Sequence, residues 1–264
     1  MNKQLPKKAR VVIVGGGVIG CSIAYHLTKI GWQDVVLLER KQLTCGTTWH
    51  AAGLVGQLRN SLNMTKLAKY TSELYRELEI ETGQSTGYKQ TGSISIATNS
   101  ERFEELKRNA SMAKVFGMQV DTVTRADVER MYPLVNAEDV LGGIYIPTDG
   151  TANATDTTQA LAKGARNGGA QIFQNVKVTK VLRDGDRLTG VETDQGNIEA
   201  DFVVMCAGMW TREIAATIGF NVPLHACEHY YVVFDSVTGL SRDVPVLRDY
   251  DSCTYYKEDA GKLL

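Results

Sequence analysis

Arg10-Val-Val-Ile-Val14 is an uninterrupted apolar run, the pattern of a parallel strand buried on both faces. From Cys21 to Ile30 the spacing becomes helical, with Ile23, Ala24 and Leu27 on one side and Gly31 as the stop. A second apolar run, Asp34 to Leu38, ends at Glu39. Strand, glycine-rich turn, helix and strand in this order predict a βαβ unit with a parallel sheet.

The pattern then becomes mixed. Ser61–Thr82 reads as a helix with Leu67, Leu74 and Leu78 along its apolar side, stopped by Gly83. Gly92–Thr98 alternates like a half-buried strand. Ser100 is the expected N-cap of a helix running to Phe116. Thr124 to Asp127 opens a short helix that ends before Pro133, and Gly143–Ile146 is a strand closed by the turn Pro147–Gly150. Thr155 or Asp156 is the expected cap of a helix ending at Asn167-Gly168-Gly169. Three strands in a meander follow (Val176–Leu182, Leu188–Thr193, Ile198–Ala200), then a buried strand, Phe202–Cys206, and a helix after Trp210. Tyr230-Tyr-Val-Val-Phe234 reads as a further apolar strand. No internal repeat or low-complexity segment interrupts the chain.

The turn between the first strand and helix is Gly15-Gly-Gly17-Val18-Ile19-Gly20. Gly15 permits the tight turn, Gly17 lets a pyrophosphate approach the backbone, and Gly20 lets helix and strand pack closely. The helix N-terminus offers free N–H groups and a positive dipole to phosphate, and Glu39 is placed to accept from ribose hydroxyls. Arg40 beside it flanks the adenosine or is simply a solvated charge. The fingerprint alone does not separate NAD from FAD. A small antiparallel meander before the last parallel strand is a feature of two-dinucleotide-fold flavoproteins, and it favours FAD.

At 264 residues the chain can bury a sizeable core as one large domain or two interleaved ones. Its 29 basic and 30 acidic residues nearly cancel, which argues against nucleic acid or an anionic membrane as partner. No stretch is apolar enough to span a bilayer, and the basic leader up to Arg10 lacks the apolar segment of a signal peptide. Five scattered cysteines without a Cys-x-x-Cys pair predict free thiols and no metal site. The expected location is cytoplasmic, or the mitochondrial matrix in a eukaryote.

The fingerprint with Glu39, then Gly46-Thr47-Thr48-Trp49-His50-Ala51-Ala52-Gly53-Leu54, Cys206-Ala-Gly208-Met-Trp210 and Glu228-His229-Tyr-Tyr-Val232, resemble the dimethylglycine/sarcosine dehydrogenase family of D-amino-acid-oxidase-like flavoproteins. The resemblance covers essentially the whole chain, and the Trp-His-Ala-Ala-Gly-Leu segment is its most specific part. It implies an α/β fold: a Rossmann-like FAD-binding domain of the glutathione-reductase type, with an interleaved antiparallel-sheet substrate domain. The expected boundaries are 1–85 and 150–218 for the first, and 86–149 and 219–264 for the second. Family members continue further, so the chain reads as a C-terminally truncated member.

By the same resemblance, His50 is bonded through a ring nitrogen to the 8α-methyl of FAD. The backbone from Gly46 to Leu54 runs along the isoalloxazine, Val18, Ile19, Glu39 and Arg40 line the pyrophosphate and adenosine, Val178 contacts the adenine end, and Gly208 and Trp210 lie near the cofactor. Without the motif, a core histidine bonded to backbone would be the plainer reading of His50. The resemblance places His229 in the floor of the substrate cavity, where it would tune substrate ionisation, since a neutral amine gives up hydride readily. A solvent-facing strand-end histidine is the alternative. Of Tyr255 and Tyr256, which face opposite ways on a strand, Tyr255 is the one expected to point inward. Arg248 and Arg59 are carboxylate partners by charge alone and are not assigned to the site.

The implied reaction is FAD-dependent oxidative demethylation of dimethylglycine or sarcosine, with electrons passing to another flavoprotein or to oxygen. The alternatives are a non-catalytic regulatory subunit on the same fold, and a related FAD-dependent amino-acid or glycerol-phosphate oxidoreductase.

Overall fold

The computed structural model describes residues 4–264. In chain order the elements are β1 (Lys8–Val14), α1 (Val18–Lys29), β2 (Val35–Glu39), a 3-10 turn (Thr48–His50), β3 (Leu54–Val55), α2 (Leu62–Thr82), β4 (Ser93–Ala97) and α3 (Ser100–Val115). Then come β5 (Asp121–Val123), α4 (Arg125–Met131), β6 (Gly142–Ile146), β7 (Gly150–Thr151), α5 (Ala154–Asn167), β8 (Gln171–Gln174), β9 (Val178–Asp184) and β10 (Arg187–Thr193). The last are β11 (Gly196–Met205), a 3-10 turn (Gly208–Trp210), α6 (Thr211–Ala216), β12 (Val246–Asp249), β13 (Thr254–Tyr256), β14 (Glu258–Asp259) and β15 (Lys262–Leu263).

These elements cluster into two compact units, both discontinuous in sequence. The first takes the chain up to Ala51 with Arg76–Thr86 and Asn153–Glu228; the second takes Ala52–Tyr75, Gly87–Ala152 and His229–Leu264. Relative to the boundaries expected from the sequence, 52–75 groups with the second unit and 219–228 with the first.

The first unit is built on a six-stranded sheet in the order β8-β2-β1-β11-β10-β9. β1 pairs in parallel with β2 and β11, while β9 and β10 form the antiparallel end. Every residue of β2 is buried, as the apolar run requires of a strand covered on both faces. Val12, Val14, Val36, Leu38, Val178, Val191 and Ile198 belong to one apolar core. Two strands expected from the sequence, Ile198–Ala200 and Phe202–Cys206, are one ten-residue strand, β11. Its first part pairs antiparallel with β10 and the rest parallel with β1, so the chain passes between the two pairings without a turn.

Two caps fall earlier than expected. Asn99 precedes α3 and accepts from Arg102 N at 2.8 Å; Asn153 precedes α5 and accepts from Thr155 N and Asp156 N, both at 3.0 Å. Both asparagines have extended backbone, the conformation an N-cap needs, whereas Ser100, Thr155 and Asp156 are already helical. α4 starts as expected, with a reciprocal capping box between Thr124 and Asp127.

The second unit carries a five-stranded sheet in the order β13-β12-β4-β6-β5. Only the β4–β12 pairing is parallel; the others are antiparallel. Ile94, Ile96 and Leu247 pack with Val128 and Tyr132, and Ile144 and Ile146 pack with Leu106, Ala110 and Ala113 of α3. On α2, Leu74 and Leu78 are buried, but Leu67 is 58 % exposed.

The strand expected at 230–234 does not form. Tyr230 is 79 % and Val232 68 % exposed, and at the segment's end Phe234 N donates to Leu263 O at 2.8 Å. Without a neighbouring strand along its length, an apolar alternation cannot set up a ladder.

Candidate functional site: a cofactor cavity at the start of α1

Within the first unit, a cavity of about 370 Å³ opens at the carboxyl ends of β1 and β2. Gly15, Gly17, Val18 and Ile19 form one wall, and Leu38, Glu39 and Arg40 a second. Cys45–Thr48 and Ala51 close another side, facing Val176, Lys177 and Val178 and the β11–α6 connection with Gly208 and Trp210. Ligands in open parallel sheets bind outside the carboxyl ends of the strands, and this cavity occupies that position.

The glycine turn has the geometry its pattern implies. Gly15 has φ of +115°, and a Cβ there would lie 2.3 Å from the Cys206 carbonyl oxygen. A Cβ on Gly20 would lie 2.0 Å from the Gly15 oxygen, so Gly20 serves helix–strand packing and does not line the cavity. Gly17 faces the cavity and is the N-cap of α1.

That helix end differs from its neighbours. α3, α4 and α5 each have a side-chain cap and an acidic residue in the first turn; α1 has no cap bond from Gly17 and no acidic residue there. Val18 N donates to Thr48 Oγ1 at 3.1 Å. An uncapped positive helix end bordering a cavity, with Gly17 at its lip, fits a pyrophosphate.

Glu39 is buried at the end of β2, and its carboxylate is already engaged. Oε2 accepts from Gly16 N at 2.7 Å and Oε1 from Lys41 N at 2.9 Å, so Glu39 fixes the glycine turn as well as bordering the cavity. Oε1 also accepts from Cys45 Sγ at 3.6 Å, which leaves Oε2 with a lone pair for a ribose hydroxyl. Arg40 lies with Cζ 4.1 Å from the Trp210 ring, a cation–π contact on the cavity wall. Cys206 also borders the cavity; burial pushes its thiol up to about 11, so it brings no negative charge toward a phosphate. The donor set, the bare helix end and the glycine lip therefore fit a dinucleotide.

The segment singled out for the flavin splits in two. Gly46, Thr47, Thr48 and Ala51 line the cavity, and Trp49 and His50 sit on the turn between them. His50 is exposed, and its ring lies 3.7 Å from the Trp49 ring centroid to centroid. It is not a core histidine. Ala52, Gly53 and Leu54 belong to the second unit and do not line this cavity. Gly53 has φ of +74°, and a Cβ there would meet the Ala152 oxygen at 1.9 Å, so its glycine is required by close backbone packing beside the β3–β7 pair.

His229 is exposed on irregular chain, not on the strand expected for it. Tyr256 packs against the apolar cluster around Ile94 and Leu247. Tyr255 takes the opposite face of β13, directly across from Arg248 of β12.

Sequence reasoning missed Val14, Leu38, Cys45, Val176, Lys177, Cys206, Ala207, Glu213 and Ile214 as lining residues. The ends of parallel strands and the residues after them were the available signal, since a cavity at the carboxyl edge must touch them. Among the described residues, no cluster of three or more His, Cys, Asp or Glu is placed to hold a metal, and no helix is long and apolar enough to cross a membrane.

Residues 10–264 match the family described as FAD dependent oxidoreductase. The chain is 44 % identical over 98 % of its length to 4-methylaminobutanoate oxidase (formaldehyde-forming) of Paenarthrobacter nicotinovorans, covering 32 % of that protein. It is 41 % identical over 98 % of its length to the mouse mitochondrial pyruvate dehydrogenase phosphatase regulatory subunit, covering 30 % of it. To human mitochondrial sarcosine dehydrogenase it is 41 % identical over 97 %, covering 28 %. The crystal structure of L-proline dehydrogenase from P. horikoshii superposes with a TM-score of 0.87 at 26 % identity, over 98 % of this chain and 69 % of that one. The chain thus spans about a third of the length of the curated relatives it matches.

Proposed function

Because the chain belongs to the FAD-dependent oxidoreductase (DAO) family, we propose that it is the flavin-carrying part of an enzyme that oxidatively demethylates an N-methylated glycine, dimethylglycine or sarcosine, with FAD tethered through His50. The observation that carries this reading is the Thr47–Ala51 turn: residues on both sides of Trp49-His50 line the cofactor cavity, and the imidazole is exposed there.

The Gly15–Ile19 turn and the bare end of α1 hold the pyrophosphate, and Glu39 and Arg40 border the adenosine. Val178 would border the adenine, and Gly208 and Trp210 line the same cavity. FAD, when bound, supplies the hydride acceptor. A tether through imidazole keeps the cofactor in place and withdraws electron density from its ring, which favours reduction. His229 and Tyr255 are the residues assigned to the substrate side, His229 keeping the amine neutral and Tyr255 orienting the substrate. Loss of hydride from the N-methyl carbon leaves a substrate iminium. Water then adds to that carbon, releasing formaldehyde, a proton and the demethylated amine. Electrons leave to a second flavoprotein or to oxygen.

The test is anaerobic mixing of the flavin-loaded protein with sarcosine, dimethylglycine and 4-methylaminobutanoate in turn. Loss of visible flavin absorbance with equimolar formaldehyde is expected for at least one of the two glycines. Reduction by 4-methylaminobutanoate alone would keep demethylation but overturn the glycine substrate. No reduction by any of them would favour the second reading, a non-catalytic regulatory protein, for which the likeness to the phosphatase regulatory subunit speaks.

A further inference from the structure

The backbone of the turn that carries His50 is held in place. His50 N donates to the Thr47 oxygen at 3.2 Å and Ala51 N to the Thr48 oxygen at 3.1 Å, which closes the 3-10 turn. Thr48 Oγ1 accepts from Val18 N at 3.1 Å and ties the turn to the start of α1. The freedom left at His50 is rotation of its side chain. Among the described residues the imidazole makes no hydrogen bond and no ion pair, so polar contacts do not set its direction.

The imidazole is instead in contact with the Trp49 indole, with ring centroids 3.7 Å apart and planes inclined at 51°. A 3-10 helix has three residues per turn, so successive side chains leave the axis about 120° apart. Neighbouring rings on such a turn meet only when both side chains rotate toward each other. Their spacing is below the range of about 4.5–7 Å usual for aromatic pairs, so the rings are in close contact. Packing of the fold does not explain Trp49. It is 56 % exposed and does not border the cofactor cavity.

An imidazole that bonds to carbon must present one ring nitrogen along the line of attack. Restricting its rotamers in advance raises the fraction of encounters that can react. With the backbone fixed and no polar partner for the ring, the indole is what supplies that restriction.

We propose that Trp49 is the positioning residue that aims His50 at the 8α carbon of FAD and thereby sets how fast the tether forms. This rests on the reading that the flavin is tethered through His50, and it names the residue that controls that bond. In the step itself a His50 ring nitrogen bonds to the 8α carbon, while one methyl C–H bond and the imidazole N–H bond break. The two protons and one electron pair pass to the flavin ring, and dioxygen takes them up as hydrogen peroxide. Trp49 exchanges neither protons nor electrons and acts through His50.

The test uses flavin-free wild type, Trp49→Phe and Trp49→Leu, each mixed in air with FAD over a range of concentrations. Samples are precipitated in acid at intervals, and the flavin that stays on the polypeptide is measured. At saturating FAD, Trp49→Leu should attach flavin roughly 3- to 10-fold more slowly, the rotamer bias that an aromatic contact supplies. Trp49→Phe keeps a ring and should fall between. The FAD concentration giving half the maximal rate should move less than the rate itself, because Trp49 does not border the cavity. A second readout needs no flavin. The ring-proton resonances of His50, assigned by their loss in His50→Ala, should be displaced by the indole ring current in the wild type and move toward free-histidine positions in Trp49→Leu. Circular dichroism checks that the variants fold.

Equal saturating rates in wild type and Trp49→Leu, a loss confined to the half-saturating concentration, or His50 resonances unmoved by Trp49→Leu would overturn the positioning role and leave the tether standing. Failure of the tether reading shows separately: the wild type binds FAD yet never retains it in acid, and the role of Trp49 falls with it.

Discussion

Gly15, Gly17 and Gly20 of the β1–α1 turn should fail in different ways when replaced by alanine, because the space around each differs. At Gly20, the new Cβ would meet the Gly15 carbonyl oxygen at 2.0 Å, far inside contact distance, and a backbone atom cannot swing aside. Helix and strand would have to part, and the cost should be about 3 kcal/mol, the upper end for overpacked sites. At Gly15, the Cβ would meet the Cys206 oxygen at 2.3 Å, and φ of +115° adds backbone strain of about 1–3 kcal/mol. At Gly17, the nearest atom is Thr48 Oγ1 at 2.9 Å, the end of a side chain that can rotate. Rotation would forfeit the Val18 N–Thr48 Oγ1 bond, about 1 kcal/mol. Gly17→Ala should therefore fold nearly as well as wild type, but its methyl would stand at the cavity lip where the pyrophosphate must approach. Urea unfolding of the unloaded proteins gives the stabilities, and flavin fluorescence quenching gives FAD affinity. The affinity is best measured in a His50→Ala background, so that only the non-covalent site is read. Gly17→Ala should lose roughly tenfold or more in affinity, equivalent to about 1.4 kcal/mol. Gly17→Ala destabilised as much as Gly20→Ala, or binding FAD like its parent, would refute the division of labour in the turn.

Asn153→Ala removes the acceptor for two N–H groups at the start of α5 and should cost about 1 kcal/mol in urea unfolding; an unchanged midpoint would show that the cap is dispensable. Asp149 tests a pH dependence. Burial raises its carboxyl above the usual carboxylate range, outweighing the Ser93 and Gln57 bonds and the nearby arginines. The folded state thus binds the proton more tightly than the unfolded chain, and the resulting stability is present at low pH and lost as pH rises through the raised value. Asp149→Asn, which can keep both hydrogen bonds by reversing the Ser93 hydroxyl, should gain in melting temperature relative to wild type as pH rises from about 4 to about 7. A difference constant with pH would mean that Asp149 titrates as an ordinary carboxylate.

The nucleotide half of the fold is legible in the sequence because its signals coincide. Continuous apolar runs for β1 and β2, a helical period between them and glycines at fixed spacing all demand the same turn. Where local and tertiary signals part, the reading fails. Asp201 looks like a break, yet it is a polar residue within β11, a strand that changes partners and keeps going. β8 escaped notice because Gln171 and Gln174 flank only Ile172 and Phe173, and it is defined by its parallel pairing with β2. Tyr230–Phe234 shows the converse, a strand-like pattern that meets β15 at Phe234 without forming a ladder. In the site, Gly17, Glu39 and Arg40 were readable from the fingerprint, whereas Val14, Cys206 and Ala207 gain their place from strand order. Glu39's hold on Gly16 N was not readable, since nothing in a linear pattern shows a carboxylate folding back on its own turn. Arg248 was visible only as a charge; its place opposite Tyr255 depends on the β12–β13 register.

The claim that this chain carries a tethered flavin, as an enzyme and not as a regulatory protein of the same fold, is tested most directly at His50. The flavin-loaded protein is denatured in acid, digested with trypsin and analysed by mass spectrometry. The account predicts that the peptide Gln42–Arg59 carries the added mass of FAD with fragmentation placing it on His50, and that His50→Ala releases all flavin to the supernatant. An unmodified Gln42–Arg59 peptide together with free FAD from the wild type would contradict it.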